Sequence, residues 1–156
     1  MKMNKYENIL IASTSKKSPY NIATSSGFRT LANYIFGSNV QQIKMPMTAP
    51  VFTTMPGNEG IDISFVLPSQ YKKNDLPEPN SNDIEIKNLK LGTTAVIKFG
   101  MWATPERIIK MKSELDNYLD INNFEPRSEY LIAQYNSPWT LPPFRRNEIL
   151  VSIIEK

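Results

Sequence analysis

The sequence predicts an α+β domain made of two similar halves, each running strand, helix, strand, strand. Three observations predict it. Two segments carry apolar residues at helical spacing: Phe28, Leu31, Ala32 and Ile35 fall at i, i+3, i+4 and i+7, and Ile108, Met111, Leu115 and Leu119 keep one face apolar. Around them lie short alternating or apolar runs of the kind that form half-buried strands. The same order of elements then recurs on either side of Pro77-Glu78-Pro79, although no residue-level identity links the halves. At 156 residues the chain is expected to be a single domain over 1–156, long enough to bury a core. Helices on one face of an antiparallel sheet place the expected ligand site between them, where two-fold-related halves meet.

Asn8 to Ser15 reads as the first strand, ending in polar residues before Pro19. Thr24, Ser25 or Ser26 supplies an N-cap for a helix running to about Phe36, and Gly37 stops it because glycine takes the left-handed conformation without a Cβ penalty. Lys44-Met45-Pro46-Met47-Thr48-Ala49-Pro50 follows, and its prolines confine it to a sheet edge or a strand start. Val51 to Met55 is a strand, closed by a turn over Pro56-Gly57-Asn58-Glu59-Gly60. Ile61, Ile63, Phe65 and Leu67 alternate with polar residues in the next strand, and residues 68–83 form a surface loop. Ile84 to Lys87 is an accessory strand and Thr93 to Phe99 a further strand. Thr104-Pro105-Glu106 is a helix start, with a hydroxyl cap, a proline at the first helical position and an acid near the positive dipole end. Tyr130 to Tyr135 and Ile149 to Ile154 are the last strands, joined by the proline-rich loop from Ser137 to Phe144.

Composition excludes several chemistries. The chain has no cysteine, hence no disulfide, thiolate metal site or cysteine nucleophile. It has no histidine, which removes Ser-His-Asp catalysis, zinc–histidine sites and proximal histidine ligation of haem iron. Apolar residues at 40% and charged residues at 21% fit an ordinary globular protein. The net charge of +3 is spread so that basic runs are only pairs (Lys16-Lys17, Lys72-Lys73, Arg145-Arg146), which argues against nucleic acid as a partner. The opening residues lack the apolar core of a signal peptide and no window is long and apolar enough to span a membrane, so a cytoplasmic location without membrane contact is expected.

Four segments taken together are more specific: Gly27-Phe28-Arg29-Thr30-Leu31-Ala32-Asn33-Tyr34-Ile35-Phe36-Gly37-Ser38-Asn39, Lys44-Met45-Pro46-Met47-Thr48-Ala49-Pro50-Val51, Ser64-Phe65-Val66-Leu67-Pro68, and the stretch from Tyr135 through Trp139 to Ile149. In this order and spacing the chain resembles the SOUL family of haem-binding proteins from about Ala12 to its end. The resemblance implies a distorted antiparallel β-barrel of two similar halves flanked by two helices, related to gyrase-inhibitor-like effector-binding domains. It also implies a small apolar planar ligand, haem or another porphyrin, lying along the first helix and near the late proline-rich loop. Carried over residue by residue, the ligand surface becomes Phe28, Leu31, Ala32 and Ile35 with Trp139 and Leu141. Ser25 and Asn33 stand where the family has basic residues beside the porphyrin propionates, and Phe99-Gly100-Met101 replaces its usual Phe-Ser-Gly.

Met45 and Met47 add polarisable thioethers that can pack on a flat aromatic ligand, and Arg145, Arg146 and Glu148 offer polar partners for propionates. Each of these has a plainer role open to it. The helix stripe and the methionines can be core, Trp139 can pin its loop, and Arg145 or Arg146 can pair with an internal carboxylate at the loop base. Glu106 and Glu148, with Tyr130 or Tyr135, are the only acid–base groups expected near the inter-helix cleft. Three functions follow: a monomeric porphyrin carrier or buffer with no catalytic residue, a hydrolase-like or effector-binding protein using the cleft, and a protein-interaction module with no small ligand.

Overall fold

A computed structural model describes residues 1–57, 60–137 and 139–156. They fall into two compact units, Ile9–Leu89, and Met1–Asn8 with Lys90–Lys156. The first contains β2 (Ile9–Lys16), α1 (Tyr20–Ile35), β3 (Val51–Thr54), β4 (Ile61–Val66) and β5 (Glu85–Leu89). Its strands are all antiparallel in the order β3-β4-β2-β5, with Ile11 opposite Val66 on one side of β2 and opposite Lys87 on the other. The second unit contains β1 (Lys2–Tyr6), β6 (Gly92–Phe99), α2 (Pro105–Ile121), β7 (Phe124–Pro126), β8 (Leu131–Gln134) and β9 (Asn147–Glu155). Its order is β1-β6-β9-β8, again antiparallel, and β7 pairs with the far end of β9. The class is α+β, as the element order predicts.

Both units repeat one plan. The strand before the helix lies between a strand that follows the helix and a further strand: β2 between β4 and β5, β6 between β9 and β1. That further strand is exchanged. β1 immediately precedes β2 in the chain but pairs with β6, whereas β5 precedes β6 and pairs back with β2. β5 matches the accessory strand predicted over Ile84 to Lys87, while β1 and the short β7 have no counterpart in the sequence reading. Asn58 and Glu59 of the predicted Pro56–Gly60 turn lie outside the described residues.

The helix boundaries show which local signals act. Thr104 caps α2, its hydroxyl accepting from the Arg107 N–H at 3.3 Å, with Pro105 at the first helical position. Gly37 follows α1 with φ of +114°. The start of α1 corrects the expected cap at Thr24–Ser26, because the helix already begins at Tyr20 with Pro19 at its N-cap position. Thr24 and Thr30 instead donate their hydroxyls back to the Asn21 and Ser26 carbonyls. The first turn is anchored by tertiary contact, since the buried Tyr20 hydroxyl shares a 2.9 Å hydrogen bond with the Thr53 hydroxyl.

The core of the first unit is the face of α1 formed by Tyr20, Ala23, Gly27, Leu31, Tyr34 and Ile35, packed on β2 and β4. Large side chains such as Leu31 and Ile35 each contribute roughly 1.5–3 kcal/mol by leaving water. In the second unit Ile108, Leu115 and Leu119 of α2 are buried, with Met111 half-buried at the edge. β9 is buried from Asn147 to Ile153 on both faces.

Four tyrosine hydroxyls are held neutral by the fold. Burial raises the pKa of Tyr20, and raises that of Tyr34 from 10.0 to about 12. Burial also raises Tyr130 and Tyr135, aided by the carboxylates of Asp116 and Glu148 beside them. The unfolded chain ionises its tyrosines near pH 10, below the folded values, so it releases protons first. Stability is therefore full below about pH 10 and lost as pH rises through about 12. Tyrosinate absorbance for these four groups is expected to appear together with loss of the circular dichroism signal. Full ionisation of all seven tyrosines in a chain that still gives the native spectrum would contradict this.

Candidate functional site

In the first unit, the apolar residues of α1 differ in how deeply they are buried. Leu31 (0% exposed) and Ile35 (2%) point into the core; Phe28 (36%) and the half-buried Ala32 lie on the flank beside them, and Ile22, Arg29 and the C-cap residue Phe36 are exposed. Phe28 and Ala32 are i, i+4 neighbours on that flank and Phe36 follows at the C-cap, so the small Ala32 is a low step between two rings along the chain. The Phe28 ring packs edge-on against Phe65 of β4, centroids 5.2 Å apart, which fixes the first of the two rings. Arg29, the next residue in the chain, is exposed.

The four-residue stripe of the sequence reading is therefore corrected. Leu31 and Ile35 have no surface left to offer a ligand; Phe28 and Ala32 do. The helix is rotated because Ala23 and Gly27, both side-chain-poor, let it approach β4 closely. A Cβ built on Gly27 would stand 2.4 Å from Ile63 Cδ1.

The segment after α1 is shaped by one buried amide. Asn39 donates to the carbonyls of Tyr34 (2.9 Å) and Ile43 (2.8 Å) and accepts from the Ile43 N–H (3.0 Å), which satisfies it on both ends. Met45 is then drawn under the helix, its N–H donating to the Ile35 carbonyl at 2.6 Å, and its side chain is buried. Met45 thus belongs to the core, a second correction, whereas Met47 is exposed. Phe36, Val40 and Ile43 are also exposed on this stretch, and the sequence reading did not single them out.

In the second unit the proline-rich loop carries Trp139 (89% exposed), Leu141 and Phe144, all open to solvent. Pro138 lies outside the described residues. The loop is tied to the entry of α2: the Met101 N–H donates to the Pro142 carbonyl at 3.0 Å, and the Asn147 amide donates to the Met101 carbonyl at 2.8 Å. Met101 (φ 65°) and Trp102 are exposed on that entry segment. Arg145, expected as a ligand contact, is buried with 8% exposure, and Nη1 donates to the carbonyls of Ser137 (3.1 Å) and Thr140 (3.2 Å). This corrects its role, since those donors serve the loop's own backbone.

Arg146 and Glu148 form an ion pair. Glu148 is 1% exposed; it accepts from Arg146 Nε (3.2 Å) and Nη2 (2.7 Å) on one oxygen and from the Tyr135 hydroxyl (3.0 Å) on the other. The hydrogen bond to Glu148 holds Arg146 more firmly protonated than usual. Tyr135 and Glu148 are thus brought together as a closed set of satisfied bonds. Tyr130 instead donates to Asp116, and Glu106 sits exposed in the first turn of α2. Among the described residues, no group of three or more Asp and Glu is gathered so as to hold a metal ion. None of the described helices is long and apolar enough to cross a membrane.

The family model described as SOUL heme-binding protein matches residues 1–152, nearly the whole chain. The chain belongs to the SOUL family. Heme-binding protein 1 of Xenopus laevis is 28% identical over 137 residues, covering 84% of this chain and 71% of that one. Heme-binding protein 2 of Homo sapiens is 32% identical over 135 residues, covering 81% of this chain and 64% of that protein, so the chain spans a little under two-thirds of the human relative. Among solved structures, the C-terminal domain of EcmrR has a TM-score of 0.74 at 12% identity, over 99% of this chain and 97% of that one. A hydrolase from Listeria innocua has a TM-score of 0.66 at 6% identity, over 98% and 91%. These two likenesses show the fold, which this SOUL chain shares with proteins of dissimilar sequence. Arg29 and Phe36 both lie within the first segment that carries the family resemblance; what sequence reasoning lacked was the rotation of α1, which turns them outward.

Proposed function

We propose that the chain binds haem or a related porphyrin as a cytoplasmic, monomeric carrier or buffer, holding the macrocycle by apolar contact without a histidine ligand. Membership of the SOUL family and relatives named heme-binding proteins support this reading. The observation that carries it is the partly open edge made by Phe28 and Ala32 of α1 and Phe36 at its C-cap, two rings with a low step between them and an exposed Arg29 next to Phe28 in the chain. A flat aromatic ligand gains area from the rings, and a guanidinium can take a propionate in a bidentate pair. Arg29 thus fills the cationic role left open at Ser25 and Asn33. Met47 offers an adaptable thioether to the same class of ligand. Trp139 and Leu141, exposed on the second unit, are proposed as an apolar surface of their own, open to the same class of ligand.

Haem supplies an extended aromatic plane, two carboxylates and an iron. In this reading the chain's residues grip the first two. Hemin and metal-free protoporphyrin are therefore expected to bind with affinities within about threefold of each other. Tryptophan quenching and Soret absorbance, followed in parallel titrations, check this. A loss of about a hundredfold for the metal-free ring would show that coordination to iron, rather than the plane, carries binding.

A further inference from the structure

Arg145 is an unusual use of a charged side chain. Its guanidinium is almost wholly buried on a loop whose apolar residues are turned outward, and it faces no carboxylate within salt-bridge distance among the described residues. Its charge is spent on the backbone. Nη1 bonds the carbonyls of Ser137 and Thr140, which flank the Trp139 tip from both sides, and the Thr140 N–H closes the same segment onto the Ser137 carbonyl at 3.1 Å. The guanidinium carbon lies 4.3 Å from the centre of the Trp102 ring, so the group is stacked on one exposed indole while it grips the segment bearing the other. The Arg145 N–H donates to the Pro142 carbonyl at 3.2 Å, and the Met101 N–H reaches that same carbonyl at 3.0 Å. One residue therefore ties together the Trp139 segment, the Pro142–Phe144 turn and the entry to α2.

We propose that Arg145 is the positioning residue of this apolar surface: it sets Trp139 in a fixed posture beside the Trp102 platform, so that the loop meets its planar ligand already ordered. A charged donor is suited to this, since its bonds to carbonyls are stronger than neutral ones and a planar guanidinium can stack and donate at once. Ordering the loop beforehand removes part of the entropic cost that a free tip would incur on binding. The part of the inference that concerns ligand affinity rests on the porphyrin reading; the posture of Trp139 does not.

The test uses the full chain labelled with 5-fluorotryptophan. Its two tryptophans give two fluorine resonances, assigned with Trp102→Phe. Arg145→Met keeps the length of the side chain and removes the donors. It is expected to move the Trp139 resonance toward the free amino acid and sharpen it, and to lower hemin affinity by about tenfold, the size of one lost charged hydrogen bond. Arg145→Lys, which restores a charged donor, should recover part of both. Trp102→Leu removes only the stacking platform and should produce a smaller shift of Trp139, which keeps the question open to measurement if Arg145→Met folds poorly. A Trp139 resonance unchanged in Arg145→Met would overturn the proposal whatever the hemin result. A shifted resonance with undiminished hemin affinity would overturn the role in binding. Failure of the wild-type chain to bind hemin, with the resonance shift intact, would sink the porphyrin reading and leave the positioning role standing.

Discussion

Replacing Gly27 by valine is expected to cost more than about 3 kcal/mol, the upper end of what overpacking a core does. Gly27 lies in the middle of α1, where glycine is ordinarily about 1 kcal/mol worse than alanine, so propensity alone predicts a gain. Packing reverses the sign. An added Cβ would meet Ile63 at 2.4 Å from Cδ1, 2.7 Å from Cγ1 and 3.0 Å from its own Cβ, and Ile63 is fully buried on a strand. A β-branched neighbour has little rotamer freedom with which to retreat. Alanine at position 27 should still destabilise, by about 1–2 kcal/mol after the propensity gain is subtracted. Ile63→Ala removes both of the closest atoms, so Gly27→Ala combined with it should show a favourable coupling of about 1 kcal/mol in urea melts. Strict additivity of the two changes would mean that the helix does not rest on Ile63.

Arg146→Met is expected to cost about 3 kcal/mol. The pair it breaks is asymmetric: Glu148 is buried within β9, whereas the Arg146 side chain is 51% exposed. Removing the arginine leaves a carboxylate in the interior with only the Tyr135 hydroxyl as partner, and breaking such a pair from one side typically costs 3–5 kcal/mol. Water reaching the vacated, half-exposed position places the value at the low end. Glu148→Gln should cost less, because the amide still accepts from Tyr135 and leaves its former partner in solvent. The double replacement Arg146→Met with Glu148→Leu should recover part of the loss, since no carboxylate is left buried although the Tyr135 hydroxyl loses its acceptor. Thermal melts of the three variants check the order. A double variant less stable than Arg146→Met alone would show that the pair contributes net stability.

Much of the architecture is legible in the chain because it is locally encoded. Thr104-Pro105-Glu106 starts α2, Gly37 follows the end of α1, and Ile61, Ile63 and Phe65 alternate on β4. What could not be read depends on partners far away in sequence. Nothing in Lys2–Tyr6 says that its partner is β6, some ninety positions on, so the reciprocal exchange of β1 and β5 is a property of the fold only. The rotation of α1 was hidden for a different reason. Its core face holds Tyr20, Ala23, Gly27 and Tyr34 beside Leu31 and Ile35, and a count of apolar spacing passes over the first four, whereas Phe28 sits at the edge of that face, packed on Phe65 and partly exposed. No sequence spacing announces that Arg145 is buried with Nη1 donating to the carbonyls of Ser137 and Thr140. Of the residues expected at the site, Leu31, Ile35, Met45 and Arg145 are buried, whereas Phe28, Met47, Trp139 and Leu141 are exposed.

The most direct test of the account is one hemin titration, followed by Soret absorbance, of the wild-type chain beside Phe28→Asp, with Ile109→Asp as control. Ile109 is exposed on α2 and is not among the residues proposed to meet the ligand. The α1 surface predicts micromolar binding to the wild type, a loss of at least about tenfold on placing a carboxylate in the edge made by Phe28, Ala32 and Phe36, and no change for the control. Equal affinity in all three, or no Soret change in any of them, would contradict it.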